Sequence, residues 1–397
     1  MNAVSVVSLH ELVEAGIVQL TRGKVISKKD IAACPGNFPI YSSAKDNDGK
    51  FGEYGKFLFD EELITWSVDG GGRLFHRPKH KFSVTNVGGI LRILDKAVLD
   101  YRYLYYVLSL RHSEIRFDWV RKAHPSVIQK LYKQIPVLVL SEQRRIVAIL
   151  DEAFEGIATA KANAEKNLQN ARGIFESLLA SKFVRNNDEV SLSELTTDIT
   201  DGDHMPPPKA STGVPFITIS NIVKRTREVD FTKTFTVPTE YFNNLKPNKK
   251  PRVGDILYTV TGATLGIPVL VKEQRDFCFQ RHIGLVRPKT GVDSKWLAYA
   301  LLSPQVFSQA TIGSTGAAQK TVSLKVLRGI QVPRSLRSEQ ARIANQLDAI
   351  AVETEHLVTV YERKLAVLDA LKKSLLHQAF AGELTSSKTT KLIEAMA

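Results

Sequence analysis

A stretch of 43 residues occurs twice in this chain, and the repetition constrains the fold more than any local motif. Ser141 to Phe183 begins S-E-Q-R-R-I, and Ser338 to Phe380 begins S-E-Q-A-R-I, 197 residues later at both ends. In the first copy Ile146, Leu150, Ile157, Leu168, Phe175 and Leu178 recur at helical spacing, with Ala153, Ala160, Ala164 and Ala171 between them. In the second the series is Ile343, Leu347, Leu357, Leu365, Leu368 and Leu375, with Ile350, Thr354, Tyr361 and Ala379. Such spacing predicts two long amphipathic helices, each with one narrow buried face. Neither stretch contains proline; Gly156 and Gly173 weaken the first locally. At 1.5 Å per residue each helix extends about 64 Å. That exceeds an ordinary domain core, so each helix needs a partner along its length, and the other copy is available. An approximate twofold axis between the halves would set the helices antiparallel.

Charge then separates the helices from the rest. The chain carries +13, which points to a polyanionic partner, nucleic acid ahead of membrane. From Glu142 to Phe183 six bases meet six acids, and from Glu339 to Leu384 five meet seven. The helices therefore sum to −2 and leave +15 for the remainder. The two cysteines, Cys34 and Cys278, fit isolated thiols in a reducing compartment. No signal peptide and no apolar run of spanning length is evident, so the expected location is cytoplasmic.

The segments outside the helices also echo each other. Val7-Ser8-Leu9-His10-Glu11-Leu12 returns as Val190-Ser191-Leu192-Ser193-Glu194-Leu195, each read as a strand or turn entering a short helix. Polar glycine turns follow, Thr21-Arg22-Gly23-Lys24 and Thr200-Asp201-Gly202-Asp203-His204. Short strands are predicted at Phe38–Tyr41 and Val214–Ile217, then at Leu63–Val68 and Gly254–Val260. Short helices are expected at Tyr101–Leu110 and Trp296–Leu302, and last strands near Ile135 and Val332. The predicted class is α+β: two similar globular domains, 1–140 and 185–337, separated by helical spacers 141–184 and 338–384, which form an antiparallel coiled coil with internal pseudo-twofold symmetry. A frayed tail is expected over 385–397.

Catalytic motifs are missing: no phosphate loop, no dinucleotide fingerprint, no zinc-protease or nucleophile-elbow pattern, no C-x-x-C. No catalytic, cofactor-binding or metal-ligating residue is assigned. Basic, amide and aromatic residues do interleave in both globular segments. The candidate DNA contacts are Arg22, Lys24, Lys28, Lys29, Tyr41, Arg73, Arg77, Arg121 and Lys122 in the first. In the second they are Asp203, His204, Lys224, Arg225, Arg281, Gln319 and Lys320. Cations neutralise phosphates, while Arg, Gln and Asn also read base edges. Gly70-Gly71-Gly72 and Thr261 to Gly266 could present backbone amides to a phosphate or simply form tight turns. Two rival readings stay open: an enzyme acting on nucleic acid through acidic residues near Asp60 and Glu61, or a structural coiled-coil adaptor.

The arrangement resembles the DNA-specificity subunit of type I restriction-modification systems. The S-E-Q-x-R-I openings carry the resemblance, with the endings Leu178 to Phe183 and Leu375 to Leu384, the V-S-L-x-E-L openings and the Asp201-Gly202-Asp203-His204 turn. The first copy departs from it, lacking the Ala-Gly-Glu-Leu ending and having Arg22-Gly23-Lys24 in place of the acidic turn. The resemblance implies a non-catalytic subunit whose two target-recognition domains read a bipartite site in double-stranded DNA. It also implies that the helices set the gap and dock two modification subunits, and restriction subunits through them. S-adenosylmethionine, ATP and Mg would belong to those partners, which carry adenine methylation and cleavage.

Overall fold

A computed structural model describes residues 5–43, 47–69, 71–115, 122–184, 188–205, 207–314 and 320–383. Arg121, Gln319, Gly70 and the tail over 385–397 lie outside the described residues. The chain divides into two compact units that each draw on both halves of the sequence. One comprises Met1–Glu165 with Arg363–Ala397, the other Lys166–Glu362.

The long helices run Leu140–Lys182 and Arg337–Phe380. In the first unit Ile146, Leu150, Ala153 and Ile157 of one helix share a core with Leu368, Leu375 and Ala379 of the other. Lys161 pairs with Asp369 at 2.7 Å, and the Lys372 ammonium lies 4.9 Å from the Phe154 ring centre. In the second unit Leu179 and Phe183 join a core with Ile343, Ala344 and Leu347, and Arg172 pairs with Glu362 at 3.0 Å. The expected seam shifts in two places. Leu357 is 36% exposed, while Val358 is buried at 6%. Leu178 is half-buried and Leu179 takes the buried place. A 3.6-residue period accumulates four-residue steps, so strict three-four alternation drifts off the buried line. Leu168, Phe175 and Leu365 are half-buried.

Each unit packs β-sheet against helices. In the first unit the strand order is Val18–Arg22, Gly88–Ile93, Phe59–Ser67, Leu74–Val84, Phe38–Tyr41, Lys50–Tyr54. Neighbours are antiparallel except Phe38–Tyr41, which runs parallel to Leu74–Val84. Phe59 pairs with Phe82 while Ser67 pairs with Gly88, so the sheet curls until the ends of two strands meet at the turn 85–87. The helix Tyr101–Glu114 closes this core, and Trp66 Nε1 donates to Ala123 O at 2.7 Å. In the second unit Thr196–Asp201, Ile283–Pro288, Ile256–Thr259 and Pro268–Leu270 form one antiparallel sheet. Phe235–Val237, Val214–Ile217 and Cys278–Phe279 form a second, the last strand parallel.

The sequence echoes are echoes of bonding. Ser8 N donates to Glu11 Oε2 at 2.6 Å and Ser191 N to Glu194 Oε1 at 3.3 Å, so the V-S-L-x-E-L openings are capping boxes. Gln143 and Gln340, the glutamines of the repeated S-E-Q, are buried. Their Oε1 atoms accept from the N–H of Asp100 at 2.9 Å and of Asp293 at 2.8 Å. Those aspartates in turn cap the helices Tyr101–Glu114 and Ser294–Leu302. The Tyr106 hydroxyl donates to Asp151, and the Tyr299 hydroxyl to Asp348 at 2.7 Å, each in its own unit.

Candidate nucleic-acid interface

In the first unit the strand ending at Arg22 continues into Gly23 and Lys24 beside the turn 85–87. Gly23 N donates to Gly88 O and Lys24 N to Val84 O, both at 3.0 Å. The approach requires glycine, because a Cβ on Gly23 would stand 2.0 Å from Val84 O. Thr85 N donates to Tyr41 O at 2.9 Å, and Thr85 Oγ1 to Ser42 Oγ at 2.9 Å. Arg22 Nε donates to Asn86 O at 2.8 Å and Nη2 donates to the same oxygen, with the side chain exposed along the rim. Val68 N donates to Val87 O at 3.0 Å, and Ala123 N to Val68 O at 2.8 Å, which brings in Lys122, paired with Asp69 at 3.3 Å. Arg22, Lys24, Tyr41 and Lys122 thus surround one turn. Exposed Lys28 and Lys29 follow on the short helix Lys28–Ala33, and exposed Arg73 precedes Leu74–Val84.

Arg77 differs. It is 3% exposed, donates to Thr65 Oγ1 at 3.1 Å and Asp48 O at 2.5 Å, and stacks 3.6 Å from the centre of the Tyr41 ring. Burial holds its guanidinium below the usual pKa range, against the pull of Tyr41 and Asp48. Those bonds commit Arg77 to the fold. Sequence reading could not separate it from its exposed neighbours, because a buried arginine leaves no periodic mark in so curled a strand.

The second unit builds the same turn from different side chains. Asp203 N donates to Phe279 O at 2.9 Å, and Arg281 N to Asp203 O at 3.1 Å. A Cβ on Gly202 would again stand 2.0 Å from a backbone oxygen, that of Phe279. Val260 N donates to His282 O at 3.0 Å, and Val322 N to Val260 O at 2.8 Å, repeating the first unit's bonds. His204 Nε2 lies 2.6 Å from Asp201 Oδ2, and Lys249 Nζ donates to Gly202 O at 3.0 Å. Gln280 Nε2 and His282 Nδ1 are 3.2 Å apart, and exposed Arg281 lies beside them. Burial, then Arg281 and His204, lowers the His282 pKa. Lys320 is exposed, and its carbonyl accepts from Thr261 Oγ1 at 3.3 Å. Gln280 and His282 escaped the candidate list; their signal was the alignment of Phe82 to Gly88 with Phe277 to Gly284. Lys224 and Arg225 sit elsewhere, on the hairpin Ile222–Val229, where Arg225 pairs with Glu355 at 2.7 Å.

Gly71 and Gly72 lie in a turn, with Gly72 N donating to Ser67 O at 3.1 Å, and Gly262–Thr264 is one turn of 3₁₀ helix. Glu61 is held by Arg92 at 2.7 Å, which lowers its pKa through that hydrogen bond. Among the described residues no group of three or more His, Cys, Asp and Glu is placed to hold a metal ion. No described helix is long and apolar enough to cross a membrane.

The two modules thus present one backbone turn with different cations and amides. A family model for the type I restriction modification DNA specificity domain matches residues 2–169. A putative type I specificity subunit N-terminus from Mycoplasma pneumoniae is 34% identical over 139 residues, 34% of this chain and 72% of that protein. The chain belongs to the type I restriction-modification DNA-specificity family. The MjaVIII specificity subunit of Methanocaldococcus jannaschii is 22% identical over 97% of this chain and 95% of its own. A chain from a structure of type I restriction-modification complex assembly and conformational transition matches with TM-score 0.72 at 19% identity, over 97% of this chain and 99% of that one. That likeness supports the α+β fold. As a family member the protein is a non-catalytic DNA-recognition subunit that assembles with modification and restriction subunits.

Proposed function

We propose that each globular domain reads one half of a bipartite duplex target, and that the faces around the turns 85–87 and 280–282 are the contact surfaces. The observation carrying this is one backbone turn built twice, with Arg22, Lys24 and Asn86 around the first and Asp201, Asp203 and Arg281 around the second. A shared frame with exchanged polar groups is what two readers of different sequences need. Lys28, Lys29, Arg73, Lys122, His204 and Lys320 extend these faces; Arg77 and Arg225 are omitted because the fold occupies them.

The long helices, in this reading, pair antiparallel as a coiled coil related by an approximate twofold. Within the first unit, Phe154 and Lys161 meet Lys372 and Asp369, in opposite chain order. The domains are then 1–140 and 185–337, with spacers 141–184 and 338–384, and two modification subunits dock on the spacers. The protein works in the cytoplasm, which the unpaired thiols of Cys34 and Cys278 suit. The test is to sequence methylated sites in cells expressing the chain with its modification partner. Exchange of Met1–Gln134 changes one half-site alone, and a change in both rejects the reading. Removing one helical turn from each spacer shortens the gap by one or two base pairs, following about 5.4 Å per turn; an unaltered gap rejects the spacer role.

A further inference from the structure

The second globular domain carries an insertion that the first lacks. Between Phe38–Tyr41 and its antiparallel neighbour Lys50–Tyr54 lie eight residues, and between Val214–Ile217 and Phe235–Val237 lie seventeen. The extra length holds the hairpin Ile222–Val229. From its tip Arg225 reaches the second long helix: Nε and Nη2 donate to Glu355 Oε1 at 2.9 and 2.7 Å, and Nη1 to Glu362 Oε2 at 3.2 Å. The other Glu362 oxygen accepts from Arg172 Nη2 of the first long helix at 3.0 Å. Beside them the Arg227 guanidinium lies 5.4 Å from the centre of the Phe175 ring. One insertion is thereby fastened to both helices. The places 197 residues before Glu355 and Glu362 hold Ala158 and Glu165, so the first copy lacks this carboxylate pair.

We propose that Arg225 is a positioning residue that locks the second recognition domain to its helices and so sharpens the gap at which the complex accepts a target. The inference rests on the reading that the domains take separate half-sites and the helices set the distance between them. A single exposed ion pair contributes little, but a four-charge network with an arginine bound by two carboxylates holds a geometry. Because its members are half-exposed, added salt loosens it.

The experiment measures methylation by the assembled complex on duplexes with the native gap and with one base pair added or removed. Wild type, R225A, E355Q and the exchanged pair R225E/E355R are compared. R225A and E355Q should each raise the ratio of off-gap to native-gap methylation about fivefold, the scale of a lost charge network. Half-site preferences should stay unchanged, and the exchanged pair should recover only part of the ratio, because R225E sets a carboxylate against Glu362. An unchanged ratio in R225A overturns the inference. So does a loss of half-site preference in R225A that E355Q does not share, since Arg225 would then be touching DNA. A wild-type complex that needs no second half-site overturns the two-reader reading itself, and does so before any variant is made.

Discussion

Gly23 and Gly202 leave no room for a side chain, since in each case the obstacle is a backbone oxygen at 2.0 Å. Relief must come from moving the turn that carries the proposed contacts. G202A should therefore cost about 1–3 kcal/mol as an overpacked site and weaken binding to the second half-site more than to the first. Thermal unfolding and binding to half-site-substituted duplexes would measure both, and equal weakening at the two half-sites would contradict the placement. Asp255 makes a different case. It is 2% exposed, accepts from Arg287 Nε at 2.9 Å and Nη2 at 2.7 Å, and accepts from Arg252 N at 2.8 Å. D255A strands a half-buried guanidinium and should destabilise by about 3–5 kcal/mol; denaturant unfolding under 1 kcal/mol from wild type would show that water reaches the pair.

The long helices divide into stretches with separate cores, so substitutions along them act locally. Leu347 is fully buried among Leu179, Phe183 and Ile343, and L347A should cost about 2–5 kcal/mol. L357A, at a position 36% exposed, should cost under about 1 kcal/mol. Equal losses on denaturant unfolding would restore Leu357 to the seam. Extent and period of these helices were legible because some forty residues average out local noise. The exact buried line was not, since choosing Leu357 over Val358 needs the phase of the helix against its partner. The roles of Gln143 and Gln340 were likewise hidden. The S-E-Q motif shows as a repeat, but its bond to Asp100 or Asp293 depends on a fold that brings positions 43 or 47 residues apart together. At the candidate site Gly23 and Gly202 were legible as special positions, but as turns rather than the strand ends that the fold makes of them; the partners of Arg77 and Arg225 were not legible, because they come from other strands and helices.

At the scale of the molecule, each compact unit borrows helix from the opposite half of the chain: Arg363 onward serves the unit that begins at Met1. A fragment ending at Val184 therefore loses the cover that Leu368, Leu375 and Ala379 give to Ile146, Leu150 and Ile157. The duplication supplies a substitute, because residues 197 earlier in the first helix can take those places in a second copy of the fragment. Ala171 would stand for Leu368, Leu178 for Leu375, Lys182 at the edge for Ala379, and Phe175 for Lys372 against Phe154. Arg172 would stand for Asp369, turning the Lys161 ion pair into a like-charge contact. The fragment should then dimerise, and more tightly at 0.5 M than at 0.05 M salt, because screening removes the new repulsion while the apolar seam persists. Sedimentation of the fragment at the two ionic strengths measures this. A monomer at both, folded by circular dichroism, would show that the first half needs no borrowed helix; dimers that weaken with salt would show that residues other than Lys161 and Arg172 decide the pairing.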